Sequence, residues 1–265
     1  MIRKLYESDR EILLNFLMEE SSFNLFIIGD ILNTGFEESF MELWGEYDIN
    51  NNLISVLLRY FNNYIPYYNK SYSGDLSCFK KIISNNYKKK LISGKSEIVA
   101  KFADVLNNYN VKKDNFCELK NKAKLATHYD GTLIKIATQD DVDRLSDFID
   151  TIEELGGTGE NREMLANCII SGCGRYYYIE NEYGDIISVA GTSAENKYAA
   201  MVVSVATDKN YRKHGLAVKC VSKLCIDALK VCENVCLFYD NPEAGKVYHG
   251  IGFETIGNWT MMVEK

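Results

Sequence analysis

Apolar and polar residues follow two periods along this chain, and the changes between them mark the predicted elements. Apolar residues at helical spacing predict helices, and β-branched or alternating runs predict strands. In the first half the predicted helices are 8–17, 23–32, 76–83 and 97–106, and the predicted strands are 2–5, 41–47 and 53–60. Segment 64–68 contains Pro66, which lacks an amide proton, so an edge strand or a loop is predicted there.

A new pattern begins after a polar turn at residues 128–131, and it predicts a domain boundary there. We therefore expect an amino-terminal α/β domain over 1–130 and a carboxy-terminal domain over 131–265. The second domain is predicted to follow the order β-α-α-β-β-β-α-β-α-β. This order is typical of a mixed α/β fold in which helices pack on a twisted sheet.

Residues 202–217, V-V-S-V-A-T-D-K-N-Y-R-K-H-G-L-A, are the segment around which the second domain is organised. A β-branched strand runs into a short basic loop, and helical periodicity begins at Gly215. The first amides of a helix lack intrahelical partners and the helix dipole favours anions there, so this loop is predicted to bind a phosphate group. The segment is neither a Walker A loop nor a G-x-G-x-x-G loop, because it has the pattern R-x-x-G-x-A.

Two motifs resemble those of the GNAT superfamily of N-acetyltransferases. Arg212 to Ala217 match its acetyl-CoA signature, [RQ]-x-x-G-x-[GA], and residues 241–253 are similar to its N-x-x-A-x-x-x-Y-x-x-x-G-F pattern. The resemblance covers residues 131–265. It implies a mixed, strongly twisted sheet whose central strands splay to admit acetyl-CoA, and direct acetyl transfer to a primary amine of a small molecule, amino acid or peptide without a metal.

The same resemblance assigns roles to single residues. The diphosphate of acetyl-CoA would lie on the backbone amides of the loop, namely Arg212, Lys213, His214, Gly215, Leu216 and Ala217. The pantetheine arm would run along the strand at Val205, Ala206 and Thr207, one amide of which would serve the thioester oxygen. Asn241 would contact the cofactor, and Tyr248 would protonate the leaving thiolate, since an ordinary phenol is protonated at neutral pH.

The general base is left open by the sequence. Some family members carry a glutamate on the strand that corresponds to 200–207, and this strand has none. Glu160, Glu163 and Glu195 lie in neighbouring segments, and the spacing does not choose among them. The acceptor pocket is expected to involve 147–162 and the first domain. The missing glutamate also leaves a second hypothesis, a CoA-binding sensor or scaffold without turnover, and transfer of a longer acyl chain is a third.

The two domains show a weak internal similarity. Residues 2–5, I-R-K-L, precede a predicted helix as 134–137, I-K-I-A, do, and 53–56 and 186–189 follow similar turns. A tandem duplication of the GNAT fold would explain this pattern. Nothing in the first half matches Arg212-x-x-Gly215, so an amino-terminal GNAT-like domain is expected to have lost cofactor binding.

Composition narrows the class of protein further. The net charge is −7, and Lys88–Lys90 form the one short basic run, so a nucleic-acid partner is not expected. No apolar run is long enough to span a bilayer and the start lacks a signal-peptide pattern, so a cytoplasmic protein without a membrane partner is expected. The eight cysteines lack disulfide or zinc spacing and are predicted to be reduced thiols. The oligomeric state, a homodimer included, stays open.

Overall fold

The computed structural model describes residues 1–155 and 161–265. The helices are α1 (Arg10–Leu17), α2 (Leu25–Thr34), α3 (Ser77–Ser84), α4 (Ser96–Val99), α5 (Val142–Asp150), α6 (Asn161–Ser171), α7 (Leu216–Ala228) and α8 (Pro242–Gly250). The strands are β1 (Ile2–Lys4), β2 (Met41–Tyr47), β3 (Leu53–Tyr60), β4 (Asn63–Tyr68), β5 (Leu91–Lys95), β6 (Tyr109–Leu119), β7 (Lys135–Ile136), β8 (Tyr176–Glu180), β9 (Ile186–Ser193), β10 (Ala199–Thr207), β11 (Asn234–Tyr239) and β12 (Glu254–Glu264). Within these ranges no helix is long and apolar enough to cross a membrane.

The chain forms two compact units. Unit 1 consists of Met1–Phe116 together with Ile256–Lys265, and unit 2 consists of Cys117–Thr255. These units differ from the division expected at residue 130, because residues 117–130 pack in unit 2 and the last strand packs in unit 1. The reason is a long-range pairing of β12 with β5, in an antiparallel register from Trp259↔Lys95 to Val263↔Leu91.

Unit 1 is built on a sheet with the strand order β1-β2-β3-β4-β5-β12-β6. The prediction of an edge strand or loop at 64–68 was wrong, because β4 lies between β3 and β5. Pro66 faces Leu57 of β3, and it lies beyond the two residues of β4, Asn63 and Tyr64, that have partners in β5. The missing amide proton therefore costs no hydrogen bond in the β5 register.

Two further elements of unit 1 differ from the prediction. β5 and β6 were not predicted, because Ser93 and Gly94 break the short apolar run of β5 and charged side chains interrupt the alternation of β6. The helix predicted over 97–106 is one α-helical turn, α4, followed by a 3₁₀ helix over Ala100–Val105. The helical spacing did identify the core side chains, since Ile98, Val99 and Phe102 are buried.

The elements from β7 to β12 follow the predicted order, although most of β12 belongs to unit 1. The predicted mixed α/β fold is confirmed in unit 2. Its strands are arranged β11-β10-β9-β8-β7. Helices pack on both faces of this sheet. On one face Cys220 and Leu224 of α7 pack with Val235 of β11, and on the other Leu145 of α5 packs with Val189 of β9. The first strand of the predicted order, β7, is short, because only Lys135–Ile136 pair with β8.

The two central strands of unit 2 run together over only part of their length. β10 and β11 are parallel, and their register extends from Ala199↔Asn234 to Val202↔Leu237. β10 continues from there to Thr207, and β11 continues to Tyr239. The strands therefore part toward their carboxyl ends, which is where ligands bind to parallel sheets.

Candidate cofactor and active site

A β-bulge in β10 lies just beyond the point where β10 and β11 separate. Val203 faces Gly191 of β9 and Ala206 faces Val189, so three steps along β10 match two steps along β9. The extra residue is Ser204, whose φ of +52° lies in the left-handed region that most side chains avoid. A bulged residue leaves the hydrogen-bonding ladder locally. Backbone groups at this point of β10 are therefore available to an extended ligand.

The bulge also fixes where the predicted side chains point. Val205 packs against the α7 side of the sheet, whereas Ala206 is buried in the cluster on the α5 side. The Thr207 hydroxyl lies 2.9 Å from that of Ser188 on β9. Ala206 and Thr207 can therefore meet a cofactor through their backbone and not through their side chains.

Ser204 belongs to the candidate site and was not predicted from the sequence. Burial raises the pKa of Tyr176 to about 12, and a side-chain hydrogen bond with Ser204 acts in the opposite direction. This contact ties the bulge to β8. The signal for it was present in the sequence, since Ser204 is the single polar residue in the run V-V-S-V-A.

The loop after β10 leads into the N-terminus of α7. Gly215 caps this helix with φ +73°, and a side-chain Cβ placed there would meet no heavy atom within 4 Å. Lys213 is also left-handed, at φ +67°. The first intrahelical bond runs from the Lys219 amide to the Gly215 carbonyl at 3.1 Å, so the amides before Lys219 have no partner within the helix. Open space, unpaired amides and the helix dipole together fit a phosphate group.

The Arg212 side chain holds this loop to its surroundings. Its Nε donates to the Thr207 carbonyl at 3.0 Å, and its Nη1 donates to Glu154 at 2.9 Å. The hydrogen bond from Arg212 lowers the pKa of Glu154 below its ordinary value. Sequence spacing could not show this ion pair, because Glu154 belongs to the segment after α5. The ion pair places the Glu154 carboxylate beside the loop.

We expect Glu154→Gln to bind CoA more tightly than the wild type, by about two- to fivefold. The change removes a negative charge near the predicted diphosphate and releases the Arg212 guanidinium. The effect is modest because both side chains are exposed to solvent, which screens the pair. Calorimetric titration with CoA measures it, and Glu153→Gln removes the adjacent charge as a control. Equal affinities for the two variants would show that the ion pair does not compete with CoA.

Tyr248 lies on α8 and is buried, with 8% of its surface exposed. Its ring centroid is 6.1 Å from that of Tyr239 and 6.0 Å from that of Phe253. Burial raises the pKa of Tyr248 to about 12, so the phenol is fully protonated at neutral pH. Such a group can donate a proton but cannot act as a base.

Asn241 is the N-cap of the same helix, and its Oδ1 accepts from the Glu243 amide at 2.9 Å, which leaves its side-chain NH₂ as the group for a cofactor.

Tyr239 and His249 form a hydrogen-bonded pair that was not predicted from the sequence. His249 Nδ1 lies 2.9 Å from the Phe253 carbonyl, which can only accept, so this nitrogen carries the proton. In the neutral ring Nε2 then accepts from the Tyr239 hydroxyl, 3.1 Å away. Gly245 makes room for the Tyr239 ring, because a Cβ there would lie 2.5 Å from it. His249 thereby orients a tyrosine at the end of β11.

Of the three candidate bases, Glu195 and Glu163 belong to the described part of the chain, and Glu195 does not reach this loop. Glu195 precedes β10, whereas the loop follows it, and a strand of nine residues is about 30 Å long. Glu195 is also bound to Arg175 at 2.6 Å and accepts from the Thr192 hydroxyl. Glu163 is exposed on α6, and Glu160 lies outside the described residues. Glu195 is thus a structural carboxylate, and the base stays unassigned.

Glu195→Gln is expected to lower the free energy of unfolding by about 2 kcal/mol, because Arg175 would lose its charged partner in a largely buried setting. We expect kcat to change by less than about threefold, since the residue does not reach the loop. Chemical denaturation and a steady-state assay measure the two effects. Loss of a general base lowers kcat by about 100-fold or more. A fall of that size in Glu195→Gln, with unchanged stability, would restore Glu195 as a candidate base.

The described part of the chain holds no group of three or more His, Cys, Asp or Glu side chains that could bind a metal ion. All eight cysteines are free thiols. Those buried in unit 2 are Cys117, Cys168, Cys220, Cys225, Cys232 and Cys236. Burial raises the pKa of Cys220 to about 12 and that of Cys232 to about 11, so these thiols are poor nucleophiles at neutral pH.

Unit 2 combines a mixed sheet with a bulged strand, two parallel strands that separate, and a basic loop at the start of a helix. Together these features define a GNAT fold. Residues 157–262 match the family model described as GNAT acetyltransferase. No curated protein sequence matches the chain.

Solved structures with the same fold extend over both units. A Drosophila protein has a TM-score of 0.74 at 9% identity, and the match covers 100% of this chain and 98% of that chain. A tandem GNAT protein from the clavulanic acid biosynthesis pathway has a TM-score of 0.61 at 12% identity, covering 99% and 97%. A GNAT-family acetyltransferase from Colwellia psychrerythraea has a TM-score of 0.58 at 15% identity, covering 100% of both chains. The likeness shows a tandem GNAT fold.

Proposed function

We propose that unit 2 binds acetyl-CoA and transfers its acetyl group directly to a primary amine. One observation carries this proposal. Gly215 holds a left-handed conformation at the start of the 13-residue α7, with open space before it, at the end of a strand that has parted from its parallel neighbour. This combination provides unpaired amides and a positive helix end for a diphosphate.

The remaining predicted residues fit the rest of the same molecule. Pantetheine is extended and rich in amides, so the free edge of β10 from Val205 to Thr207 can bind it as an added strand would. The side-chain NH₂ of Asn241, at the start of α8, is available on the neighbouring β11–α8 connection. Lys213 and His214 are exposed and add positive or polar character to the loop.

The chemistry of the proposal rests on positioning and on proton transfer. Acetyl-CoA supplies an activated thioester. A backbone amide at the Ser204 bulge can donate to the carbonyl oxygen as negative charge develops there, and Tyr248 holds the proton that the departing sulfur needs. The raised pKa values of the buried thiols argue against an acyl-enzyme on cysteine. The amine therefore attacks the thioester without a covalent enzyme intermediate.

The acceptor follows only as a class. A primary amine on a small molecule, an amino acid or a peptide fits the reaction, and the −7 net charge favours a cationic acceptor. Because all eight cysteines are free thiols, we also propose a reducing, cytoplasmic location.

Release of free CoA from acetyl-CoA, measured with a thiol reagent against a panel of amines, tests the proposed reaction. The wild type is expected to release thiol with at least one amine, and the rate should depend on the amine concentration. Binding of CoA without release across small amines, amino acids and peptide amines would instead favour a CoA-binding sensor or scaffold. A parallel series of acyl-CoA thioesters identifies any preference for a longer chain.

A further inference from the structure

Unit 1 contains a cavity of about 510 Å³ whose lining residues all belong to unit 1. Its size falls in the range of small-molecule sites, which is about 300–1,000 Å³. The charged residues that line it are Glu20, Lys70, Lys95, Glu97 and Lys113. Lys70 follows β4, and Lys95 ends β5, so the cavity lies at the carboxyl ends of these two strands.

The two strands part at this place. β4 and β5 are parallel, and their register contains Asn63↔Leu91 and Tyr64↔Ile92. β4 then continues to Tyr68 and β5 to Lys95. Unit 1 therefore repeats the parting of parallel strands seen between β10 and β11, and a ligand site is expected outside such strand ends.

The loop that follows β4 is closed to a diphosphate. Asp75 Oδ1 accepts from the Ser77 amide at 2.9 Å, and Asp75 Oδ2 accepts from the Ser77 hydroxyl at 2.6 Å, where α3 begins. A carboxylate thus occupies the helix start that is open in α7. Its negative charge repels a phosphate group, so a nucleotide held as we propose for unit 2 does not fit this helix start.

One wall of the cavity is a fixed charged group packed on an aromatic ring. The Lys95 ammonium lies 2.7 Å from Glu20 and 3.2 Å from Glu97, and it stands 4.9 Å from the centre of the Phe23 ring. Only 12% of the Lys95 side chain is exposed. Phe23 is held close to β12 because Gly257 has no side chain, since a Cβ there would lie 2.9 Å from the ring.

Positive charge remains after these pairs are formed. The lining holds three lysines and two glutamates, a net charge of +1. Neither Lys70 nor Lys113 forms an ion pair or a side-chain hydrogen bond with any residue in 1–155 or 161–265. Two ammonium groups therefore face a cavity whose other walls include Phe23 and Ile256.

We propose that this cavity binds a small organic anion, a carboxylate or a phosphate ester. The anionic group contacts Lys70 and Lys113, and a short apolar part contacts Phe23 and Ile256. Lysine ammonium groups bind such anions as point charges. The site gives unit 1 a ligand of its own, and it does not depend on acetyl-CoA binding by unit 2.

Thermal melting and calorimetry of the full chain test the proposal, with inorganic phosphate, acetate and butyrate as probes. Saturating CoA is present so that the loop of unit 2 is not open to the probes. We expect at least one probe to raise the melting temperature by about 3 °C at ten times its dissociation constant. Butyrate binding more tightly than acetate would assign a carboxylate with an apolar part, and binding of phosphate alone would assign a phosphate ester.

The double variant Lys70→Gln/Lys113→Gln is expected to bind the probe at least about tenfold more weakly. Lys112→Gln is the control, because Lys112 lies next in the chain, pairs with Asp114 at 3.5 Å and does not line the cavity. The proposal is overturned if no probe binds the wild type, or if the double variant binds as the control does. If CoA itself fails to bind, the dependence on Lys70 and Lys113 still decides the anion site, so the two proposals fail separately.

Discussion

Gly215→Val is expected to weaken CoA binding by about 100-fold or more while the chain remains folded. The new side chain meets open space and not protein, so it does not disturb the core. It stands in front of the amides of α7, however, where the diphosphate would approach. The left-handed conformation at φ +73° adds a cost of about 1–2 kcal/mol for any residue with a Cβ.

Gly172→Val is the control that separates the backbone cost of the substitution from its effect on CoA binding. Gly172 has φ +72°, and a Cβ placed on it would meet no heavy atom within 4 Å, so it shares the backbone cost and the open space of Gly215. It follows α6, and the next residue, Cys173, bonds to Glu195 before β10, far from the loop. Both variants should lose similar stability in chemical denaturation, and only Gly215→Val should lose CoA binding in calorimetry. Wild-type affinity in Gly215→Val would remove the loop from the cofactor site.

Tyr248→Phe is expected to lower kcat about 100-fold and to change the affinity for CoA by less than about threefold. The substitution removes the hydroxyl that would protonate the departing sulfur and keeps the ring between Tyr239 and Phe253. Within the described ranges no hydrogen bond holds that hydroxyl, so the stability should hardly change. A defect confined to kcat is the expected sign of a group that acts in the transition state.

The pH dependence gives a second test of Tyr248. A general acid must be protonated, and burial raises the pKa of this phenol to about 12. The wild-type rate should therefore show no decline from Tyr248 below about pH 10, because the phenol deprotonates only near its raised pKa. Tyr183→Phe, on the exposed turn between β8 and β9, removes the same atom as a control. A kcat for Tyr248→Phe equal to that of Tyr183→Phe would exclude the role.

The strand, loop and helix of the segment predicted to bind the cofactor could be predicted because their signals are local. A β-branched strand, a basic loop and a helix beginning at Gly215 occupy adjacent stretches of chain, and each follows from periodicity and from the conformational freedom of glycine. The spacing from Asn241 to Tyr248 is likewise that of one capped helix. The element order from β7 to β12 followed from the same local patterns.

What the sequence did not predict depends on contacts between distant residues. The pairing of β12 with β5 joins the end of the chain to unit 1, and no local pattern marks it. The ion pair between Arg212 and Glu154 is of the same kind. The bulge at Ser204 changes the register between two strands, and a register appears only when both strands are in place.

The central claim is that the loop at the start of α7 binds the diphosphate of a nucleotide thioester. Calorimetric titration of the wild type with CoA and with pantetheine, which lacks the nucleotide diphosphate, tests it most directly. The account predicts that CoA binds at least about 100-fold more tightly than pantetheine, because only CoA reaches the helix amides. Equal affinities, or no heat with either compound, would contradict it.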